Sequence, residues 1–180
     1  MINGNRSATN NPAVTLALTW AGGAGTGVVR MRFSNDGSNW TAWESLAATK
    51  SYTLPSGEEH KTVRVQYLDK QNNKSAVFSD YIRLDTILPT GSIIINNGAA
   101  TTTSRSVTLK LTWSDSGAQV SRMRFSDDGA HWTNWMPQTA TRAHTLPLAT
   151  LGNQTVRVQY LDGAGNYSLV YNDYIKLVAP

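Results

Sequence analysis

The chain has 180 residues, 40% of them hydrophobic and 16% charged, which supplies a core and leaves too little charge for a disordered tail. Sixteen basic and twelve acidic side chains give a formal charge of +4, without the Lys/Arg block of a dedicated nucleic-acid or membrane-surface binder. Cysteine is absent, which excludes disulfides, thiolate metal sites and thiol catalysis. No apolar run approaches the roughly 18 residues that span a bilayer, and Met1-Ile2-Asn3-Gly4 leads into polar sequence without a signal peptide. Neither nucleic acid nor membrane insertion is therefore expected.

In chain order, Val14, Leu16, Leu18 and Trp20 alternate with Thr15, Ala17 and Thr19. A period of two marks a strand with one apolar face, and it directs Trp20 into the core. The segment Ala21 to Gly27 reads as a glycine-rich connection; it lacks the lysine of a phosphate-binding loop. Val29, Met31 and Phe33 then alternate with Arg30 and Arg32. Asn35-Asp36-Gly37 is a hairpin signal, because Asn, Asp and Gly tolerate positive φ. Trp40 and Trp43 are three residues apart, which in a strand places them on opposite faces, one inside and one outside beside Arg30 and Arg32. A turn follows at Leu54-Pro55-Ser56-Gly57, and Val63, Val65 and Tyr67 alternate with Arg64 and Gln66. The last strand of this stretch places Ile82 and Leu84 inward, Tyr81 and Arg83 outward. No stretch shows a 3.6-residue stripe, so almost no helix is expected.

The same series then returns. Val14–Trp20 recurs as Val107–Trp113, Arg30–Ser34 as Arg122–Ser126, and Trp40-Thr41-Ala42-Trp43 as Trp132-Thr133-Asn134-Trp135. Thr62–Asp69 recurs unchanged as Thr155–Asp162, and Asp80-Tyr81-Ile82 as Asp173-Tyr174-Ile175. The offset is 92 or 93 residues. About seven short strands per copy, separated by turns, predict an all-β chain of two tandem β-sandwiches. The first spans 1–86, a linker with Pro89 covers about 85–90, and the second spans 91–180.

The Trp20/Trp113 position, the Arg-x-Arg-Phe-Ser-x-Asp-Gly-x-x-Trp-Thr-x-Trp block, the Thr-Leu-Pro turn and the Val-Gln-Tyr-Leu-Asp strand carry a resemblance. Both copies resemble fibronectin type III-like and immunoglobulin-like repeats of bacterial surface and secreted proteins. Lys61 and Gln154 stand where a type III tyrosine corner carries tyrosine. The resemblance implies an extracellular or cell-surface location, a non-catalytic role, and neighbouring repeats of a longer parent chain as partners.

His60, His131 and His144 have Asn153, Asn39 and Tyr52 as counterparts, so none belongs to the repeated pattern, and they read as solvated loop residues. No G-x-S-x-G occurs, and Glu58-Glu59 sits in a turn, so no catalytic residue is assigned and the chain is read as a non-enzyme. The candidate binding surface is the outer sheet face. In the first copy it comprises Arg30, Arg32, Trp40, Trp43, Arg64, Tyr81 and Arg83; in the second, Arg122, Arg124, Trp132, Trp135, Arg157, Tyr174 and Lys176. Interleaved guanidinium groups and rings either brace the sheet or receive a sugar ring, an anionic polymer or a protein. Asp69, Asn73 and Asp80, repeated as Asp162, Asn166 and Asp173, together with Asp85, are oxygen donors of the type Ca²⁺ takes, although such residues also form turns. No other cofactor is implied. Three roles follow: a structural spacer, a binding or adhesion module, or a subunit assembling into filaments through strand edges.

Overall fold

The structure is a computed structural model that describes residues 1–21, 27–147 and 151–180. The glycine-rich connection falls, over residues 22–26, outside the described residues. Two compact units divide the chain at Met1–Thr86 and Ile87–Pro180.

The first unit contains β1 (Ala8–Thr9), β2 (Ala13–Ala17), β3 (Val28–Ser34), β4 (Glu44–Ser45), β5 (Thr49–Thr53), β6 (Glu59–Asp69) and β7 (Phe78–Leu84). One sheet has the order β1-β7-β6-β3-β4 and the other pairs β2 with β5. The second unit contains β8 (Thr90–Ile95), β9 (Thr101–Thr102), β10 (Ser106–Ser114), β11 (Val120–Ser126), β12 (Met136–Pro137), β13 (Thr141–Thr145), β14 (Gly152–Asp162) and β15 (Tyr171–Leu177). Its sheets run β12-β11-β14-β15-β9 and β13-β10-β8. A single 3₁₀ turn, Asn96–Gly98, is the helical element among the described residues.

The alternation read from the sequence is the alternation that builds each core. In the first unit Val14 and Leu16 of β2 face Met31, Phe33, Val63, Val65, Tyr67, Ile82 and Leu84 of the opposing sheet. In the second, Val107, Leu109 and Leu111 meet Met123, Phe125, Val156, Val158, Tyr160 and Ile175. Each inward side chain removed from water contributes about 1.5–3 kcal/mol, so these clusters supply the main driving force. The pairing is antiparallel except at β1–β7 and β9–β15, where two-residue strands run parallel along the sheet edge. Strands that short show no period, which is why the sequence gives no sign of them.

The tryptophans at the ends of the second strands sit differently from expectation. Trp20 lies beyond the end of β2 and is 38% exposed, its ring 6.1 Å from that of Tyr67. Trp113 is half-buried, 6.2 Å from Tyr160. Parity aims both rings inward, but both positions fall at or near a strand end, where each ring lies tilted against a tyrosine.

Candidate functional site: an arginine–tryptophan face

The strands carrying the outer arginines are neighbours, in the order β3-β6-β7 and β11-β14-β15. A β-bulge lies at the start of β3, between Val28 and Arg30, and again between Val120 and Arg122. Beyond the bulge, Arg32 stands opposite Gln66 and Arg124 opposite Gln159. A bulge fixes register and re-aims side chains, and here it delivers the guanidinium to the glutamine. Arg32 Nε and Nη2 both donate to Gln66 Oε1, at 3.1 and 2.6 Å. Arg124 repeats this on Gln159 Oε1 at 3.0 and 2.6 Å. Each glutamine passes the order onward, its Nε2 donating to the carbonyl of Ser75 or Ser168.

Both tryptophans of each Trp-Thr-x-Trp segment lie against the same guanidinium. Arg32 Cζ is 4.6 Å from the ring centroids of Trp40 and of Trp43; Arg124 Cζ is 4.8 Å from Trp132 and 4.6 Å from Trp135. The expectation of one ring inside and one outside is therefore corrected. Residues 40–43 are not strand. Thr41 Oγ1 accepts the Phe33 amide, and the Thr41 amide donates to the Phe33 carbonyl. Thr133 does the same for Phe125. Held to β3 at one residue and irregular on either side, the segment escapes strict alternation, and both rings close on the arginine. In the second copy Tyr167 extends the ladder, its ring 5.6 Å from Trp135 at 25° and 6.0 Å from Arg124 Cζ; Lys74 occupies that place in the first.

The remaining face residues divide. Arg64 Nη1 donates to the Asn35 carbonyl and Arg157 Nη1 to the Asp127 carbonyl at 2.7 Å, so both pin the hairpin beyond β3 or β11. Their shafts lie over Gly37 and Gly129, whose φ of +84° and +81° suits glycine. Arg83 Nη2 lies 3.1 Å from Glu59 Oε1. Arg30, Arg122, Tyr81, Tyr174 and Lys176 are exposed on the outer surface.

The histidines have more definite places than solvated loops. His144 Nε2 is 2.8 Å from Asp127 Oδ1, where in the first copy the Tyr52 hydroxyl donates to Asn35 Oδ1 at 2.9 Å. His131 Nδ1 is 2.6 Å from Asp128 Oδ2, where Asn39 Nδ2 donates to Asp36 Oδ2 at 2.7 Å. Each is an exchange of one hydrogen-bonding side chain for another at a conserved geometry. The signal was present in the repeat: Asn35 and Asp127 change together with Tyr52 and His144.

Of the calcium-type residues, Asp69 and Asn73 meet, and so do Asp162 and Asn166. Asp69 Oδ1 accepts the amides of Gln71 and Asn73, while its Oδ2 accepts Asn73 Nδ2. Asp162 Oδ1 accepts the amides of Ala164, Gly165 and Asn166, and its Oδ2 accepts Asn166 Nδ2. Asp80 and Asp173 lie well along the strand, opposite Val63 and Val156, and accept the amides of Ile2 and Ile95. Asp85 is buried, its amide donating to the Thr9 carbonyl. The Asp69 and Asp162 carboxylates close their turns on backbone amides, while Asp80 and Asp173 tie a distant backbone amide to the strand.

The turns closed by Asp36, Asp69 and Asp128 are acid-sensitive. The Asn39 side chain, with the backbone amides of Asn39 and Ser38, holds the Asp36 carboxyl well below the usual carboxylate range; His131 and its neighbours do the same for Asp128. The Asn73 side chain lowers Asp69. A carboxyl depressed in the folded state stabilises above its unfolded pKa, and that contribution is lost as pH falls through the folded one. Melting temperature is therefore expected to hold between pH 5 and 7 at the carboxyls and to fall below about pH 4. Asp36→Ala with Asp128→Ala flattens that slope. His131 acts with opposite sign, since Asp128 raises its pKa: its contribution is full below about pH 6.5 and fades as pH climbs through the raised value. A melting curve unchanged down to pH 3 contradicts this assignment.

No family model matches the chain, and no curated protein is similar to it in sequence. Solved structures are. Fibronectin(III)-like modules of Clostridium thermocellum CbhA align over 99% of this chain and 93% of theirs, with a TM-score of 0.57 at 15% identity. The FN1–FN3 domains of chicken CNTN1 align over 98% of this chain and 66% of theirs, with a TM-score of 0.52 at 11% identity. At such identities the likeness is one of fold. With the β-sandwich core written twice and the outer face braced by a Trp–Arg–Trp stack in each copy, the chain has the architecture of tandem fibronectin type III-like, immunoglobulin-like repeats.

Proposed function

We propose that the chain is a non-catalytic spacer of a larger bacterial cell-surface or secreted repeat protein, its partners being neighbouring repeats of the same parent. One observation carries this reading. The most conspicuous cations of the outer face, Arg32 and Arg124, are already engaged in both copies: each is sandwiched by two indoles and bonded through two nitrogens to a glutamine. A guanidinium so occupied stiffens a sheet, and the N–H groups it spends on the glutamine are not offered to an anionic ligand. No helix of the described residues is long and apolar enough to cross a membrane.

A spacer predicts two measurements. Stretching single molecules should give two unfolding events, each releasing roughly 30 nm for about 90 residues. Glycan arrays and heparin should show no saturable binding. Saturable binding that disappears in Arg32→Ala/Arg124→Ala would instead support a second reading, a binding module, for which the exposed Tyr167 on Trp135 provides a flat aromatic surface in the second copy alone.

A further inference from the structure

The ladder that holds the last hairpin of each sandwich carries no mark of its copy. The hairpin β6–β7, residues 59–84, packs on β3, and the hairpin β14–β15, residues 152–177, packs on β11. Residues 30–34 of β3 and 122–126 of β11 are identical, as are 62–69 and 155–162. The registers coincide. Met31 stands opposite Tyr67 and Phe33 opposite Val65, as Met123 stands opposite Tyr160 and Phe125 opposite Val158. An anchor outside the ladder is duplicated too: Asp80 accepts the Ile2 amide and Asp173 the Ile95 amide, both at 2.8 Å. A first hairpin laid on β11 would remake these cross-strand pairs and the arginine–glutamine bond. Among repeated domains, interchangeable elements of this kind lead to swapped assemblies.

The hairpins differ most sharply in the turn that follows β6 or β14. In the second unit the Gly163 amide donates to the Gln119 carbonyl at 3.0 Å, and a Cβ on Gly163 would stand 2.7 Å from the Ala118 carbonyl oxygen. The φ of Gly163 lies outside the left-handed region, so the close approach of Ala118 requires the glycine and the backbone conformation does not. Ala164 beside it is buried. The first hairpin has Lys70 and Gln71 at these positions, both exposed in their own unit. On the second sandwich Lys70 would drive its Cβ into a backbone oxygen, which has no rotamer to swing aside. Lys61, which would replace the buried Gln154, is a softer obstacle, because a lysine stem can carry its charge back to water.

We propose that Gly163 and Ala164 determine which hairpin the second sandwich takes up. It accepts its own kind, from its own chain or from a second copy of the chain, and the Ala118 carbonyl excludes the first kind. The ladder supplies affinity without identity, and the turn supplies identity by a clash against the wrong partner.

The chain has no cysteine, so one introduced into each of two differently tagged chains reports exchange directly. Arg122 of β11 pairs with Leu161 of β14, whose counterpart in the first hairpin is Leu68. Chains carrying Arg122→Cys are unfolded together with chains carrying Leu161→Cys or Leu68→Cys, refolded and oxidised, and disulfide-linked heterodimers are measured on a non-reducing gel. The single chain Arg122→Cys/Leu161→Cys, closing on itself, is the control for bond geometry. Leu161→Cys chains are expected to give heterodimer, and Leu68→Cys chains at least about tenfold less, the ratio that 1.4 kcal/mol sets. Adding Lys70→Gly/Gln71→Ala to the Leu68→Cys chain should recover most of the difference. Both residues are exposed, so melting of the first unit should not change with them. Equal yields from Leu68→Cys and Leu161→Cys, a yield unmoved by Lys70→Gly/Gln71→Ala, or no heterodimer from Leu161→Cys would each overturn the proposal.

Discussion

Gly91→Ala is expected to destabilise the second sandwich by about 3 kcal/mol, the upper range for forcing a methyl into a packed core. For a unit of this size that is a fall in melting temperature of roughly 12–24 °C. The added Cβ would meet Tyr160 Cε2 at 2.4 Å, Tyr160 Cδ2 at 2.9 Å and the Thr112 carbonyl oxygen at 2.5 Å. Ring and carbonyl cannot both yield. The Tyr160 ring is fully buried, held by Trp113 at 6.2 Å and Tyr171 at 6.3 Å, and the carbonyl belongs to β10 opposite Ser92. Relief therefore comes from peeling β8 away, which also gives up the bond from the Tyr160 hydroxyl to Ser92. Two controls separate these causes. Tyr160→Phe removes the hydroxyl alone and should cost about 1 kcal/mol. In a double-mutant cycle, Gly91→Ala should cost less on Tyr160→Leu than on the wild type, because the leucine removes the ring. Hydrogen exchange at the Val156 and Val158 amides should accelerate, while Val63 and Val65 of the first unit keep their protection. Wild-type exchange in Gly91→Ala would show the close approach to be slack.

Much of this architecture is legible in residue order because each inward position obeys a period of two over at least five residues. Met31 and Phe33, Val63 and Val65, Ile82 and Leu84 are all buried as their parity requires. The turns were legible for a different reason: Asp-Gly and Asp-x-x-x-Asn at fixed places are closed by the side chains of Asp36, Asp69, Asp128 and Asp162. What parity misjudges is whatever leaves the regular ladder. Trp20 and Trp113 lie at strand ends, where an inward direction no longer means a covered position. The Trp-Thr-x-Trp segments are tied to the neighbouring strand by a threonine side chain, a bond no alternation rule contains. The partner of Arg32 was hidden for a third reason. Gln66 stands opposite it because of a bulge at Val28–Arg30, and a one-residue bulge in a Val-Val-Arg run leaves no mark on the sequence. The chain contains five Asn-x-Ser/Thr triplets, and three of them, at Asn39, Asn73 and Asn166, find a physical origin here. The Asn closes an Asp turn, and the hydroxyl two residues later accepts the amide of Phe33, Tyr67 or Tyr160.

Arg32→Ala and Arg124→Ala distinguish a brace from a ligand site. A residue kept for an absent ligand contributes little to the free protein, so truncating it should be close to neutral. A brace should cost. Removing Arg32 abolishes contacts with two indoles, each worth about 0.5–1 kcal/mol, and leaves Gln66 Oε1 without its two donors, a further 1 kcal/mol or so. About 2–3 kcal/mol follows for the first sandwich, a fall of roughly 8–24 °C in its melting temperature. Arg124→Ala should cost the second at least as much, since Tyr167 and Trp135 stack beside that guanidinium. Arg→Lys is the informative companion. It restores charge but neither the plane that lies between two rings nor the fork that reaches one oxygen twice, so less than half the loss should return. If the contacts were chiefly electrostatic, lysine would recover most of it. Gln66→Ala should overlap with Arg32→Ala in a double-mutant cycle, giving a coupling of about 1 kcal/mol. Intrinsic fluorescence gives a second readout, because Trp40 and Trp43 lose the side chain that separates them and their emission should shift to the red. Near-neutral truncation at both arginines would move them out of the scaffold, and the outer face would then be better understood as a surface awaiting a partner.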